Sequence, residues 1–356
     1  MTESPPHAPG RARSRTARNL TPAGVAAGLV GLVLFAWAIR DAGTHHVLDS
    51  LRRIGAGFLL ILLISSTRPL VRTVAWLLCI EEPGRLPLGA ALSASITGTA
   101  LGDLTPLGVF LSEPAKAVLV RHRISLMKSF SALTVENLFY SLTVVLMIMA
   151  GTGAFLVSFP VPPDIRTVSL LLLGATAAGA LATAWVFHRR RRVVSGLLDA
   201  LCRRHIGRRV LLPRLPHVRE LEDQVFGFAS RHKGRLLPIW LLEASFHVSA
   251  IAEVWLVLYL LGTSPTFLTA FVLEYVDRVI TVVFKFIPLR LGVDEAGTGL
   301  ATDILGMGTA SGVALAIIRK ARVLCWTALG VLLLMRRGLS IRGTLEQADA
   351  VVEAGQ

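Results

Sequence analysis

Long apolar runs alternate with short basic ones along most of this chain. The apolar runs cover about 21–39, 54–80, 127–150, 166–187, 236–261, 267–287 and 311–335. Each is near the ~20 residues an α-helix needs to cross a bilayer. Two further stretches, 88–120 and 288–310, are apolar but interrupted, and their interruptions share a pattern. A proline is followed seven residues later by a glutamate, Pro106 to Glu113 and Pro288 to Glu295, with a glycine between, Gly108 and Gly292. Proline removes a backbone donor and ends or kinks a helix. A carboxylate at bilayer depth costs at least ~2.5 kcal/mol unless it faces protein or water. Paired breaks of this kind in the two halves of a chain point to a binding site at the membrane midplane.

The pattern predicts an all-α, polytopic membrane bundle of about seven to eight spans with one or two re-entrant or broken helices. The 88–120 stretch reads as a re-entrant hairpin. For 288–310 a hairpin and a crossing are both open; the crossing gives eight spans and keeps the C-terminus on the cytoplasmic side. Residues 1–19 read as a disordered basic tail, 20–337 as the membrane domain and 338–356 as a C-terminal tail. Ala36, Trp37 and Ala38 also permit a cleaved signal peptide, but the basic leader and the many later spans favour an uncleaved anchor.

Composition agrees with this reading. Of 356 residues, 53% are hydrophobic and only 17% charged, with a mean hydropathy of +0.63. The net charge of +14 is distributed as loop arginines, the placement of the positive-inside rule. Nucleic acid is therefore not the expected partner. Thirteen Lys or Arg residues lie in 188–235, which marks that loop and the N-terminus as cytoplasmic. Within the loop, Val218, Leu221, Val225 and Phe228 have the spacing of an amphipathic helix, suited either to an anionic lipid surface or to a solvated linker. Cys79, Cys202 and Cys325 form no metal or disulfide framework. No phosphate-cradling glycine loop is present, so no nucleotide or other cofactor is implied.

The ionisable residues at bilayer depth include Arg68, Arg72, Glu113, Lys116, Glu136, Glu243, Glu253, Glu274, Asp277, Arg278, Lys285, Asp294, Glu295, Arg319, Lys320 and Arg322. Both signs occur, so pairing can neutralise most of them. Arg68 and Arg72 share a helical face, as do Glu274 and Arg278. A cavity holding several arginines suits an anionic group, which the guanidinium fork grips bidentately. The expected substrate-binding set is Arg68, Arg72, Glu113, Lys116, Glu136, Glu274, Arg278, Glu295, Arg319 and Arg322, with Arg319 as partner of Glu295. The expected helix breakers are Pro106, Gly108, Pro288 and Gly292.

These residues carry a family resemblance. The run from Phe284 to Gly297, with Arg319 and Arg322, resembles the C-terminal signature of the flippase-like membrane domain of lysylphosphatidylglycerol synthases. Leu104 to Pro106, Ser112 to Lys116, and Val135 to Asn137 resemble its earlier motifs, closest to the stand-alone, hopanoid-biosynthesis-associated branch. Asp294 departs from the family pattern, which usually has glycine or glutamine there. No aminoacyl-transferring domain follows the last span, so lipid aminoacylation is not implied. The resemblance implies lipid handling in a bacterial cytoplasmic membrane, with Glu113, Glu136, Glu295 and Arg319 as motif positions. The expectation is a non-enzymatic lipid translocator, driven by a gradient or by none. A scaffold for lipid-biosynthesis enzymes and an intramembrane lipid-modifying enzyme are the alternatives.

Overall fold

A computed structural model describes residues 52–81, 85–104, 108–188, 215–284, 290 and 292–336, with residues 195, 196, 199, 202 and 203 between the third and fourth segments. The expected first span at 21–39, both tails, Pro106, Lys285 and Pro288 lie outside the described residues. Every described element with assigned bounds is an α-helix: α1 (Gly57–Cys79), α2 (Leu88–Asp103), α3 (Gly108–Val120), α4 (Leu126–Ser158), α5 (Pro163–His188), α6 (Leu215–Arg231), α7 (Lys233–Leu260), α8 (Phe267–Val283), α9 (Val293–Ile304) and α10 (Thr309–Arg336). Of these, α1, α4, α5 and α7 are long and apolar enough to cross a membrane. The 28-residue α10 has the length as well, but Arg319, Lys320 and Arg322 interrupt its apolar run.

Two apolar clusters occupy opposite ends of the bundle. One joins Trp76 and Cys79 of α1, Ala91 and Leu101 of α2, Ala115 and Leu119 of α3, Leu133 of α4, Phe228 of α6, Ile239 of α7 and Leu334 of α10. The other joins Ile61 of α1, Phe155 of α4, Val257 of α7, Leu273 and Tyr275 of α8, Ala301 of α9, and Leu315 and Ile318 of α10. Contacts at both ends set the helix directions. Arg235 donates to the carbonyls of Leu78 (3.2 Å) and Ile80 (2.9 Å), and Gly57 lies against Leu260, so α1 and α7 are antiparallel.

The two interrupted stretches form hairpins anchored in different clusters. A Cβ on Gly108 would fall 1.6 Å from the carbonyl oxygen of Gly102, and Gly98 abuts Ser112 and Lys116, so α2 and α3 run antiparallel in backbone contact. Only glycine permits that approach. At the second break, Gly292 takes a φ of +80° and Arg290 a φ of +48°. The chain then returns, with Arg290 hydrogen-bonded to Thr281 and Gly297 against Ile280. Twelve residues make α9 about 18 Å long, short of the ~30 Å hydrocarbon core. Helix α9 alone is therefore too short to span that core. It folds back beside α8, and α10 then runs antiparallel to it, with Gly312 against Thr298.

The expected span at 127–150 runs on to Ser158, and Gly151 within it seats Tyr275 of α8. On helix α6, Val218 and Phe228 are buried and Val225 packs beside them, with Phe228 in the first cluster.

Candidate functional site

Between the two apolar clusters lies a layer of charged side chains around a cavity of about 410 Å³. The tips of both hairpins reach it: Gly102, Asp103 and Gly108 from the first, and Thr281, Arg290 and Asp294 from the second. Helix α1 contributes Arg68 and Arg72, α3 Lys116, α8 Asp277 and Arg278, and α10 Arg319, Lys320 and Arg322. Apolar and hydroxyl side chains complete the wall, among them Ile96, Phe246, Val323, Trp326, Ser95 and Thr327. Among the described residues, eight basic side chains thus line the cavity against three acidic ones.

The missing negative charge stands behind the wall. Arg72 grips Glu136 of α4 with two parallel contacts, 2.6 Å from Nε and 2.9 Å from Nη2, and Nη2 also meets Asn137 at 3.0 Å. Its guanidinium lies 4.2 Å over the ring of Tyr140. Glu253 of α7 pairs with both Arg68 and Arg322, the latter at 3.0 Å. Glu274 holds Arg278 at 2.9 Å one turn on and Arg319 of α10 at 3.0 Å, and Asp277 reaches the same two arginines at 2.7 and 3.2 Å. Lys116 meets Glu113 at 2.8 Å and Arg290 meets Asp294 at 3.2 Å. Each buried cation is thereby compensated, as burial demands. The guanidiniums keep one face on the cavity, and Arg68 Nε is buried without a hydrogen-bond partner among the described residues.

Of the residues expected from sequence, Arg68, Arg72, Lys116, Arg278, Arg319, Arg322 and Gly108 line the cavity. Glu113, Glu136, Glu274 and Glu295 are absent from its wall and act as counter-charges to the cations that line it. The expected pairing of Glu295 with Arg319 is replaced. Glu295 pairs with Lys320, the next residue, and accepts the Gly292 N–H at 2.8 Å. Lys320 lies toward the second break, whereas Arg319 faces α8 and its two acids. Gly292 provides the turn into α9. Sequence reasoning passed over Arg290, whose position two residues beyond Pro288, inside the break, was the available signal. Among the described residues no group of three or more His, Cys, Asp or Glu is placed to hold a metal ion.

Comparisons with curated proteins and with solved structures find no match. A family model described as the lysylphosphatidylglycerol synthase TM region matches residues 24–330. That span takes in both hairpins and every side chain of the charged layer, and the chain belongs to the lysylphosphatidylglycerol synthase transmembrane-region family.

Proposed function

We propose that this protein binds the anionic head group of a phospho- or isoprenoid-type lipid in the charged cavity and moves it between leaflets. The observation that carries the reading is the cavity wall itself: eight basic side chains converge between two apolar clusters, at the meeting point of two helical hairpins. Guanidinium forks suit phosphate oxygens, and the lipid tails would stay in the bilayer. On this reading α2–α3 and α8–α9 are re-entrant hairpins entering from opposite leaflets, and their tips form the site. The end bearing Arg121, Arg123, Lys128, Arg231, Lys233, Arg235 and Arg336 would face the cytoplasm of a bacterial inner membrane. The 1–19 and 338–356 tails would lie on that side too, and the basic 188–235 stretch would meet anionic lipid through its cations rather than through the apolar face of α6.

Reconstitution in vesicles carrying labelled phosphatidic acid or labelled polyprenyl phosphate tests the reading. Leaflet exchange that depends on the protein supports it. Binding without exchange indicates a scaffold, and a change in the chemical identity of the lipid indicates an enzyme; either result overturns the proposal.

A further inference from the structure

Glu243 of α7 has no cation partner and no hydrogen-bond donor among the described residues, unlike Asp103 of the cavity wall, which accepts from Thr327. It is 0% exposed. No lysine or arginine among those residues forms an ion pair with it. It faces another acid, Glu136, with Arg72 and Lys116 as the nearest influential charges. Both oxygens of Glu136 are already taken by Arg72. The titratable and charged groups around the pair come from four helices. Arg72 and Cys79 belong to α1, Lys116 and Glu113 to α3, and Glu136 to α4. From α7 itself come Arg235, which is engaged with the α1 carbonyls, and His247. His247 meets Thr143 through Nε2 at 3.2 Å, and its Nδ1 has no partner.

Two buried carboxylates facing one another beside a single arginine carry an unbalanced charge where the surroundings are protein. A proton on Glu243 removes the imbalance and supplies the donor that the site lacks. Its O–H then donates to Glu136, whose oxygens accept from Arg72 on the other side. The resulting chain runs from Glu243 through Glu136 to Arg72, and Arg72 lines the cavity.

We infer that Glu243 and Glu136 form a proton-binding carboxyl pair that couples anion binding in the cavity to proton uptake. The inference rests on the proposed anionic ligand. An anion on the cavity face of Arg72 shares the charge that otherwise serves Glu136, so the pair holds its proton more tightly while the anion is bound. Loss of the proton from Glu243 sets two carboxylates against Arg72 and drives the anion out. Linkage makes the effect reciprocal: proton uptake accompanies anion binding, and rising pH weakens it. A proton gradient across the membrane would then drive the lipid in one direction.

The test uses the full chain in detergent with short-chain phosphatidylglycerol as the probe, whose phosphodiester keeps a single negative charge throughout the pH range used and so contributes no proton of its own. Infrared spectra of the ligand-free protein should contain the C=O band of a protonated carboxylic acid, and that band should vanish in Glu243→Gln. Titration calorimetry in buffers of different ionisation enthalpy counts protons taken up on binding. Above the pH at which that band fades from the ligand-free protein, wild type should take up a proton on binding, and there its affinity should fall by up to about tenfold per pH unit. Glu243→Gln, which mimics the protonated acid, should bind with a pH-independent affinity and no uptake. Wild-type binding without proton uptake at those higher pH values overturns the coupling but leaves the cavity reading standing, and needs no variant to establish. Persistence of full uptake in Glu243→Gln assigns the proton elsewhere and also overturns it. If the probe fails to bind at every pH, the anionic cavity itself is wrong and the coupling falls with it.

Discussion

Lys320 forms an ion pair with Glu295 across the second break, and the same carboxylate accepts the Gly292 N–H at 2.8 Å. One side chain thus fixes the turn into α9 and anchors that turn to α10. Lys320 also approaches the Arg290 carbonyl at 3.5 Å, so the cation ties the break itself to the first turn of α9. Glu295 is therefore a positioning residue for the hairpin tip and not a wall of the cavity.

Glu295→Gln should retain a side-chain acceptor near Gly292 but leave Lys320 buried without a counter-charge. Removing one partner of a buried pair costs roughly 3–5 kcal/mol. The variant should melt at a lower temperature in detergent and lose lipid exchange in vesicles. Adding Lys320→Met should recover much of the melting temperature and none of the exchange, because the cavity would lack one of its cations. Unchanged melting in the single variant would show that the pair does not hold the tip.

Glu274 serves two arginines, Arg278 at 2.9 Å and Arg319 at 3.0 Å. Glu274→Gln should lower folded yield by an amount consistent with a loss of ~3–5 kcal/mol. The double change Glu274→Gln/Arg278→Gln should recover part of that loss, since Asp277 remains 3.2 Å from Arg319 and can neutralise it. Size-exclusion recovery of the three proteins side by side checks the order. Equal yields from single and double variants would mean that Glu274 and Arg278 do not interact.

Most of the helical architecture was legible from hydrophobic runs, since span length and composition suffice to place α1, α5, α7 and α10 within a few residues. Periodicity does not report what a glycine touches. Gly151 seats Tyr275, a contact that no sequence pattern announces, and Gly108, expected as a breaker, is also a point of backbone contact. The cations of the site were legible because charge at bilayer depth is costly and therefore informative. Their pairing was not. Arg319 and Lys320 are adjacent in sequence yet point to different helices, and only the rotation of α10 against α8 and α9 decides which acid each one meets.

Helix α6 supplies a third prediction. Phe228 is buried in the first apolar cluster, whereas Arg231 at the end of the same helix makes an exposed 2.6 Å pair with Glu81. Phe228→Ala should cost ~3–5 kcal/mol and free α6 from the bundle, raising protease cleavage between α6 and α7. Glu81→Gln should cost no more than ~1 kcal/mol, because an exposed pair is screened by water. Limited proteolysis of both variants separates docking by the apolar face from docking by surface charge; faster cleavage of Glu81→Gln would reverse that assignment.

The first hairpin depends on two glycines that touch. A methyl group at Gly108 would overlap the Gly102 carbonyl at 1.6 Å, and the obstructing atom is backbone, so no side-chain rotation relieves the clash. Gly108→Ala should therefore force α2 and α3 apart at the tip, where Asp103 faces the cavity. Gly153→Ala on α4 meets nothing within 4 Å and provides a matched control; alanine favours a helix interior over glycine by about 1 kcal/mol. The expected outcome is a large fall in thermal stability and loss of lipid exchange for Gly108→Ala, with stability equal to or above the parent for Gly153→Ala. Melting curves in detergent decide between them. A Gly108→Ala protein that melts with the parent would show that the two helices do not meet at this point, and the hairpin tip would then have to be placed elsewhere.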